Sequence, residues 1–390
     1  MTLAATFLGG AKSRLLPPSV PFRFFAAAAV FHVLLWLVLL LATGNATSFT
    51  GGFGPVLAAV HLLTLGVLTT TAIGAATQIL PVATRHAPTA VWLVKLVFWL
   101  TIPGMIVLIA GMYALEKHAL LAGSAATAAG LVLFALLLAN NLRRAGNLPI
   151  VAIHGWAALA SLIGLVGLGV ALALNYQFGI LHNRAAVALA HMLLGGFGFM
   201  GLLVLGVSHI LVPMFALAPA PALLPSLANV AAAIAAVVLG TLGALVNNYI
   251  MLTSAALIGL GAAGGYLWLM SRALATGMRK ELGLSFVLVR MAWIMLPITL
   301  LTSPLFAASR ATTEQPCSVS YCYSAGFSPS CSASCSASCR SSPRCSRPRR
   351  RGVVRRSSPC LPVPYRLSFT PCVTRSRSPA SRLPSSLMIR

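Results

Sequence analysis

The chain has 390 residues, of which 58% are hydrophobic and only 8% are charged, and its mean hydropathy is +0.92. Soluble domains carry about 25% charged residues, so this composition excludes a water-soluble enzyme. Asp is absent, and the acidic residues are Glu116, Glu281 and Glu314. That scarcity excludes carboxylate-dyad hydrolysis, carboxylate-bound Mg²⁺ and Ca²⁺ sites. We therefore predict a polytopic membrane protein, in spite of a net charge of +24.

A membrane-spanning helix needs about 20 apolar residues, and nine segments of the sequence meet this requirement. The predicted spans are 22–43, 55–80, 91–113, 119–142, 150–174, 186–212, 226–247, 250–272 and 285–306. Turn and helix-capping residues separate them. The predicted fold class is all-α, with a cytoplasmic segment at 1–21 and a polytopic transmembrane helix bundle at 22–307.

Cationic loops predict the orientation, because Lys and Arg collect on the cytoplasmic side of a membrane. With the N-terminus inside, eleven Lys and Arg residues before residue 311 fall on the inner side. Lys117, Arg184 and Arg310 fall on the outer side. We therefore predict an integral protein of the bacterial inner membrane, with a cytoplasmic N-terminus and the lipid bilayer as its partner.

The composition changes near residue 311, since the last 80 residues hold 13 of the 27 cationic residues and all eight Cys. The spacing of Cys331, Cys335 and Cys339 lacks the closer pairs of typical zinc sites. An Arg/Ser/Pro segment is also typical of disordered RNA-binding arms. We favour a third interpretation, translation of a GC-rich gene in the wrong frame, and predict a disordered tail at 308–390 without a nucleic-acid partner.

Ionisable side chains are rare in spans and usually face the bundle interior, and five His lie in the predicted spans: His32, His61, His154, His191 and His209. His61 and His191 belong to spans that run in the same direction, and both lie about 8–9 Å below the outer surface at 1.5 Å per residue. Neutral imidazole is a ligand for haem iron. We predict that this pair clamps one b-type haem; the alternatives are hydrogen bonding to neighbouring helices and the binding of another metal.

His154 and His209 form a second predicted layer near the inner surface, together with Gln78 at the end of the second span. His191 and His209 are 18 residues apart and lie on one helix face. The inner pair would hold a second haem or a copper ion, unless its polar groups simply meet the lipid headgroups. His32 is predicted either as a ligand or as an isolated interhelical hydrogen-bonding group.

The second and sixth spans echo each other in sequence. Each has His, Gly five residues later, and a Pro near its end: His61, Gly66 and Pro81, then His191, Gly196 and Pro213. A duplicated half-bundle would place the two His symmetrically. Further glycines leave room for a porphyrin or for close helix contact: Gly74, Gly195, Gly198, Gly201 and Gly206.

At these residues, and at Pro21-Phe-Arg-Phe-Phe25 and Val212-Pro-Met-Phe-Ala-Leu-Ala-Pro219, the chain resembles the haem-copper oxidase subunit I-like membrane proteins. That group includes the NnrS-type haem- and copper-containing proteins associated with nitric-oxide metabolism. The resemblance covers residues 17–306. It implies a bundle of about twelve spans that binds b-type haem through membrane His, so nine spans would be a truncated copy. It also implies that His61 and His191 are the low-spin haem ligands.

The sequence departs from the oxidase pattern, since it has no adjacent His-His pair, no His-x-x-x-Tyr on a span and no carboxylate inside a span. A binuclear oxygen- or nitric-oxide-reducing centre is therefore not predicted, and enzymatic activity is left open. We expect electron transfer or a respiratory role related to nitric oxide or oxygen, with an electron-donor protein or a quinol as partner. Arg184 and Lys117 would pair with haem propionates. The alternative function is a secondary transporter whose intramembrane His relay protons.

Overall fold

The computed structural model describes residues 16–46, 49, 51–84, 90–145, 148–279 and 283–313. Within these ranges the regular structure is helical and contains no strand. The long helices are α1 (Ser19–Leu41), α2 (Pro55–Ala83), α3 (Val91–Ala114), α4 (Lys117–Leu142), α5 (Pro149–Phe178), α6 (Arg184–Ala216), α7 (Leu223–Leu245), α8 (Tyr249–Thr276) and α9 (Leu284–Thr313).

Helices α1 to α8 are long and apolar enough to cross a membrane, which confirms the predicted all-α fold and eight of its spans. Helix α9 coincides with the ninth predicted span and continues to Thr313, seven residues past the predicted end. Its described apolar part, Phe286–Leu301, is shorter than a full membrane crossing. The ninth span therefore stays a prediction. Residues 1–15 and 314–390, which hold most of the predicted N-terminal segment and tail, lie outside the described residues.

Large apolar side chains cover the surface of the bundle, as a lipid environment requires. Trp36 is 58% exposed, Trp92 64% and Leu224 77%. Inside, Phe24 and Phe199 are fully buried in one continuous apolar core. Water would not tolerate so much exposed apolar area, so the bilayer is the environment that this surface fits.

Capping residues fix where the helices begin and end. Asn183 and Asn248 precede α6 and α8, and the side-chain oxygen of each accepts a hydrogen bond from a backbone N–H in the first turn. This is the usual role of Asn at a helix start. Helix α5 ends at Gly179, whose φ of +62° is the left-handed conformation that glycine adopts without strain.

Two of the helices, α2 and α6, each contain a π-helical segment, at Leu62–Thr69 and Leu194–Gly201. Such segments are rare in proteins, but those that occur often lie at functional sites. The two segments contact each other. Pro81 and Pro213 are each the twelfth residue after the π segment of their own helix. The similarity between these two spans therefore extends from their sequences to their backbone structure.

Candidate functional site

The structure brings His61 and His191 together, as their depths predict. Their ring centres are 6.5 Å apart and the ring planes differ by 25°. His61 is the seventh residue of α2 and His191 the eighth of α6, so both lie about 10 Å from the start of their helices at 1.5 Å per residue. We call these two residues the upper pair.

Backbone carbonyls fix the tautomer of both rings. His61 Nδ1 lies 3.0 Å from the carbonyl oxygen of Leu57, one turn earlier in α2. His191 Nδ1 lies 3.0 Å from the carbonyl oxygen of Leu165, on α5. A carbonyl only accepts hydrogen bonds, so each Nδ1 carries the proton and each Nε2 keeps its lone pair. Metal-binding His is usually oriented in this way by a second hydrogen bond.

The spacing of the upper pair fits two axial ligands of one iron. Metal–imidazole bonds are about 2.0 Å long and each ring centre lies about 1.1 Å beyond its nitrogen, which places the centres of two opposed rings about 6.2 Å apart. The measured separation is 6.5 Å. The separation of the two rings is therefore compatible with one metal held between them.

Gly169 of α5 supports the ring of His191. A Cβ atom at this position would lie 2.9 Å from Cε1 and 3.4 Å from Nδ1 of His191. The absence of a side chain therefore allows the imidazole to lie against α5 and reach the carbonyl of Leu165. Two residues earlier, Gly167 has nothing within 4 Å of such a Cβ.

Several of the glycines near the His residues serve close helix contact and do not create open space. Gly66 and Gly74 pack on aromatic side chains of α1, and Gly206 packs on His154. Gly196 is different, because a Cβ atom added at this position would have no other atom within 4 Å. Of the two roles predicted for the glycines, helix packing is thus the one that Gly66, Gly74 and Gly206 have.

His154 and His209 also meet, as predicted, and we call them the lower pair. Their ring centres are 5.3 Å apart at an interplanar angle of 41°, and both residues are buried. Each Nδ1 bonds the carbonyl oxygen four residues earlier in its own helix, at 2.9 Å for His154 and 2.8 Å for His209. Both Nε2 atoms are buried and have no hydrogen-bond partner among the described residues.

The lower pair differs from the upper pair in geometry. Ring centres 5.3 Å apart correspond, for metal–nitrogen bonds of about 2.0 Å, to an angle of about 115° at a shared metal. That is a bent arrangement, near the tetrahedral and trigonal angles. Helices α5 and α6 are also in direct contact at Gly206 and His154, where a Cβ on the glycine would lie 2.5 Å from the His154 Cβ. This contact leaves no gap for a porphyrin.

Tyr266 of α8 borders the lower pair, and sequence reasoning missed it. Its ring centre lies 6.0 Å from that of His209, and its hydroxyl donates to Ser208 Oγ at 2.9 Å. Ser208 Oγ in turn donates to the carbonyl oxygen of Leu205 at 2.6 Å, which is also the acceptor for His209. A Tyr in an apolar helix gives no sequence signal for this contact.

Four other residues that the sequence analysis singled out lie outside the two His pairs. Arg184, at the start of α6, places its guanidinium 5.0 Å from the ring centre of Tyr176. Lys117 is exposed at the first residue of α4. Gln78 has a buried side-chain oxygen without a hydrogen-bond partner among the described residues. His32 is exposed, and its ring lies 6.2 Å from that of Trp36 on the same helix, so it joins neither pair.

No carboxylate among the described residues contributes to either pair. Among the described residues the acidic side chain is Glu116, which accepts hydrogen bonds from the backbone N–H groups of His118 and Ala119. These bonds, with the stronger contribution from Ala119, hold the pKa of Glu116 below its usual value. Within the same residues, no group of three or more His, Cys, Asp and Glu side chains gathers around one point. Each candidate site is thus a two-imidazole site.

Comparison with known proteins gives no identification. No family model matches the chain, and neither a curated protein nor a solved structure matches it. Function therefore has to be inferred from the geometry of the two His pairs.

Proposed function

We propose that the protein binds one b-type haem in the membrane, with His61 and His191 as axial ligands, and that it transfers electrons. The observation that carries this proposal is the upper pair: rings 6.5 Å apart and 25° from parallel, each with Nδ1 bonded to a backbone carbonyl. Two imidazoles at this ring separation, each with Nδ1 already bonded, would leave their Nε2 atoms as the ligands for one iron. The resemblance to haem-copper oxidase subunit I-like proteins agrees with it.

The haem would supply one-electron redox chemistry, and the residues of the chain would hold and insulate it. If His61 and His191 both bound the iron, no coordination position would remain for a gas molecule, which favours electron transfer. The donor would be an electron-donor protein or a quinol in a respiratory-type membrane. The cation excess of the predicted inner loops supports the bacterial inner membrane and a cytoplasmic N-terminus.

Arg184 is the better of the two proposed propionate partners. Its guanidinium is half-buried at the start of α6, seven residues before His191, and the described residues offer it no carboxylate. An arginine in this position would pair well with a carboxylate of the haem edge. Lys117 is exposed, so we expect a smaller contribution from it.

Visible spectroscopy of the detergent-solubilised protein tests the haem proposal. Dithionite should produce the reduced α band of a b-type haem, and both His61→Ala and His191→Ala should abolish it. His32→Ala is the matched control, because His32 lies in the bundle but is exposed and away from both pairs. A wild-type protein without the band, or a band that survives both substitutions, would contradict the proposal and favour the proton-relaying transporter.

We also propose that His154 and His209 bind a copper ion. The observation that favours a metal here is a pair of buried Nε2 atoms without hydrogen-bond partners among the described residues, on rings whose centres are 5.3 Å apart. Imidazole suits copper, and copper binds most tightly to a given set of nitrogen ligands among the first-row divalent metals. Metal analysis should find copper in the purified protein, and His154→Ala should remove it while the haem band remains. Equal copper content in wild type and variant would refute this second site.

A further inference from the structure

Three side chains form a stack at the end of the bundle where α2 and α6 begin. The rings of Phe53 and Tyr176 are stacked with centres 3.8 Å apart and planes 17° from parallel. The guanidinium of Arg184 lies 5.0 Å from the centre of the Tyr176 ring, within the range of a cation–π interaction. We call Phe53, Tyr176 and Arg184 the clasp.

The clasp links α5 and α6 to the segment that leads directly into α2. Arg184 precedes His191 by seven residues on α6, and Tyr176 follows Gly169 by seven residues on α5. Phe53 precedes His61 by eight residues, separated from α2 only by Gly54. At 1.5 Å per residue, the clasp therefore lies about 10 Å from the pair along each helix.

The backbone around the clasp is also fixed. Gly54 N–H donates to the carbonyl oxygen of Met112 at 2.9 Å, which ties the start of α2 to the end of α3. Leu181 N–H donates to Asn175 Oδ1 at 2.7 Å, which closes the turn between α5 and α6. A Cβ atom on Gly51 would lie 3.8 Å from Arg184 Nη2, so the loop before α2 passes directly beside the guanidinium.

We infer that the clasp sets the spacing and mutual angle of the upper pair, with Tyr176 as its central positioning residue. His61 and His191 make no hydrogen bond to each other, so their separation depends on how α2, α5 and α6 are held. In the clasp, the Tyr176 ring of α5 contacts both Arg184 of α6 and Phe53, which leads into α2. Because Phe53 and Tyr176 also pack into the apolar cluster around Leu62, the clasp is continuous with the core beside His61.

This inference rests on the proposed haem, and the test compares Tyr176→Leu with Tyr176→Phe. Tyr176→Leu removes the ring that both partners contact, and we expect haem affinity to fall about tenfold, as for other residues that orient a ligand. The electron paramagnetic resonance signal of the oxidised haem should shift as well, because it depends on the angle between the two imidazoles. Tyr176→Phe keeps the ring and should match the wild type.

Phe178→Leu is the control, because Phe178 lies on the same helix end but is 65% exposed and outside the stack. If Tyr176→Leu binds haem with unchanged affinity and an unchanged signal, the inference is wrong even though the haem proposal stands. If the wild type binds no haem, the proposed function fails instead. Hydrogen exchange at the Gly54 amide then tests the clasp alone: faster exchange in Tyr176→Leu supports it, and equal exchange overturns it.

Discussion

Gly169→Ala should displace the imidazole of His191, the proposed haem ligand, without unfolding the protein. The added Cβ would lie 2.9 Å from His191 Cε1, whereas carbon atoms in contact are about 3.5–4.0 Å apart, so the ring must retreat by about 0.6–1.1 Å. The His191 ring can make this movement by rotating its side chain, because Cε1 lies at the far end of that side chain. Ala is also favoured over Gly inside a helix by about 1 kcal/mol, which protects the fold.

The displaced ring would lose its fixed orientation. The bond from Nδ1 to the Leu165 carbonyl oxygen is 3.0 Å long, and a shift of this size would stretch it towards the limit for a hydrogen bond, at a cost of about 1 kcal/mol. We expect haem affinity to fall about 10- to 100-fold, the range found when a residue that orients a metal ligand is lost.

Haem titration of purified Gly169→Ala protein, followed by its reduced visible spectrum, measures this effect. Gly167→Ala is the matched control, since it makes the same change on the same helix where nothing lies within 4 Å. Gly169→Ala protein that is folded and titrates like Gly167→Ala would refute the role of α5 in positioning His191.

Two further predictions concern the lower pair and the start of α4. Gly206→Ala would place a Cβ 2.5 Å from the His154 Cβ, and that atom cannot swing away because it is fixed to the backbone. The thermal unfolding midpoint of the Gly206→Ala protein in detergent should therefore drop. The control Gly261→Ala, where nothing lies within 4 Å, should keep the wild-type midpoint. The pKa of Glu116 is lowered by its bonds to backbone N–H groups, so its cap is complete at neutral pH and lost as pH falls through that lowered pKa. Protection of the Ala119 amide from hydrogen exchange should fall with acid in the wild type, and a Glu116→Gln protein that shows the same acid dependence would contradict this role.

The helices of the bundle were predictable because the bilayer imposes a simple length and composition on each crossing. Capping residues such as Asn183 and Asn248 also mark helix starts in the sequence. Helix α9 is harder to place, because its apolar run ends close to the change in composition near residue 311. The bounds of the other helices differ from the predicted ones by a few residues, since helix ends depend on local hydrogen bonds.

The two His pairs were predictable for a similar reason, because counting residues along rigid helices gives their depth. The ring angles and the hydrogen-bond partners of the rings were not predictable in this way. The Leu165 carbonyl that orients His191 lies 26 residues away in sequence, and its approach depends on how α5 and α6 cross. The role of Gly169 depends on the same crossing, and nothing near it in sequence distinguishes it from Gly167.

The register of the two π segments explains why the upper pair is not symmetric. His61 lies one residue before its π segment, and His191 three residues before its own. When the two helices are aligned on their sequence echo, His61 matches His191. When they are aligned on their π segments and the following prolines, His61 instead matches Leu193, two residues further along. Two residues turn a helix by about 200°, so His191 faces a different side of its helix from the position equivalent to His61. The two residues also differ in their partners: His61 bonds a carbonyl of its own helix, and His191 bonds one on α5. Two helices that echo each other in sequence thus orient their imidazoles through unlike carbonyls.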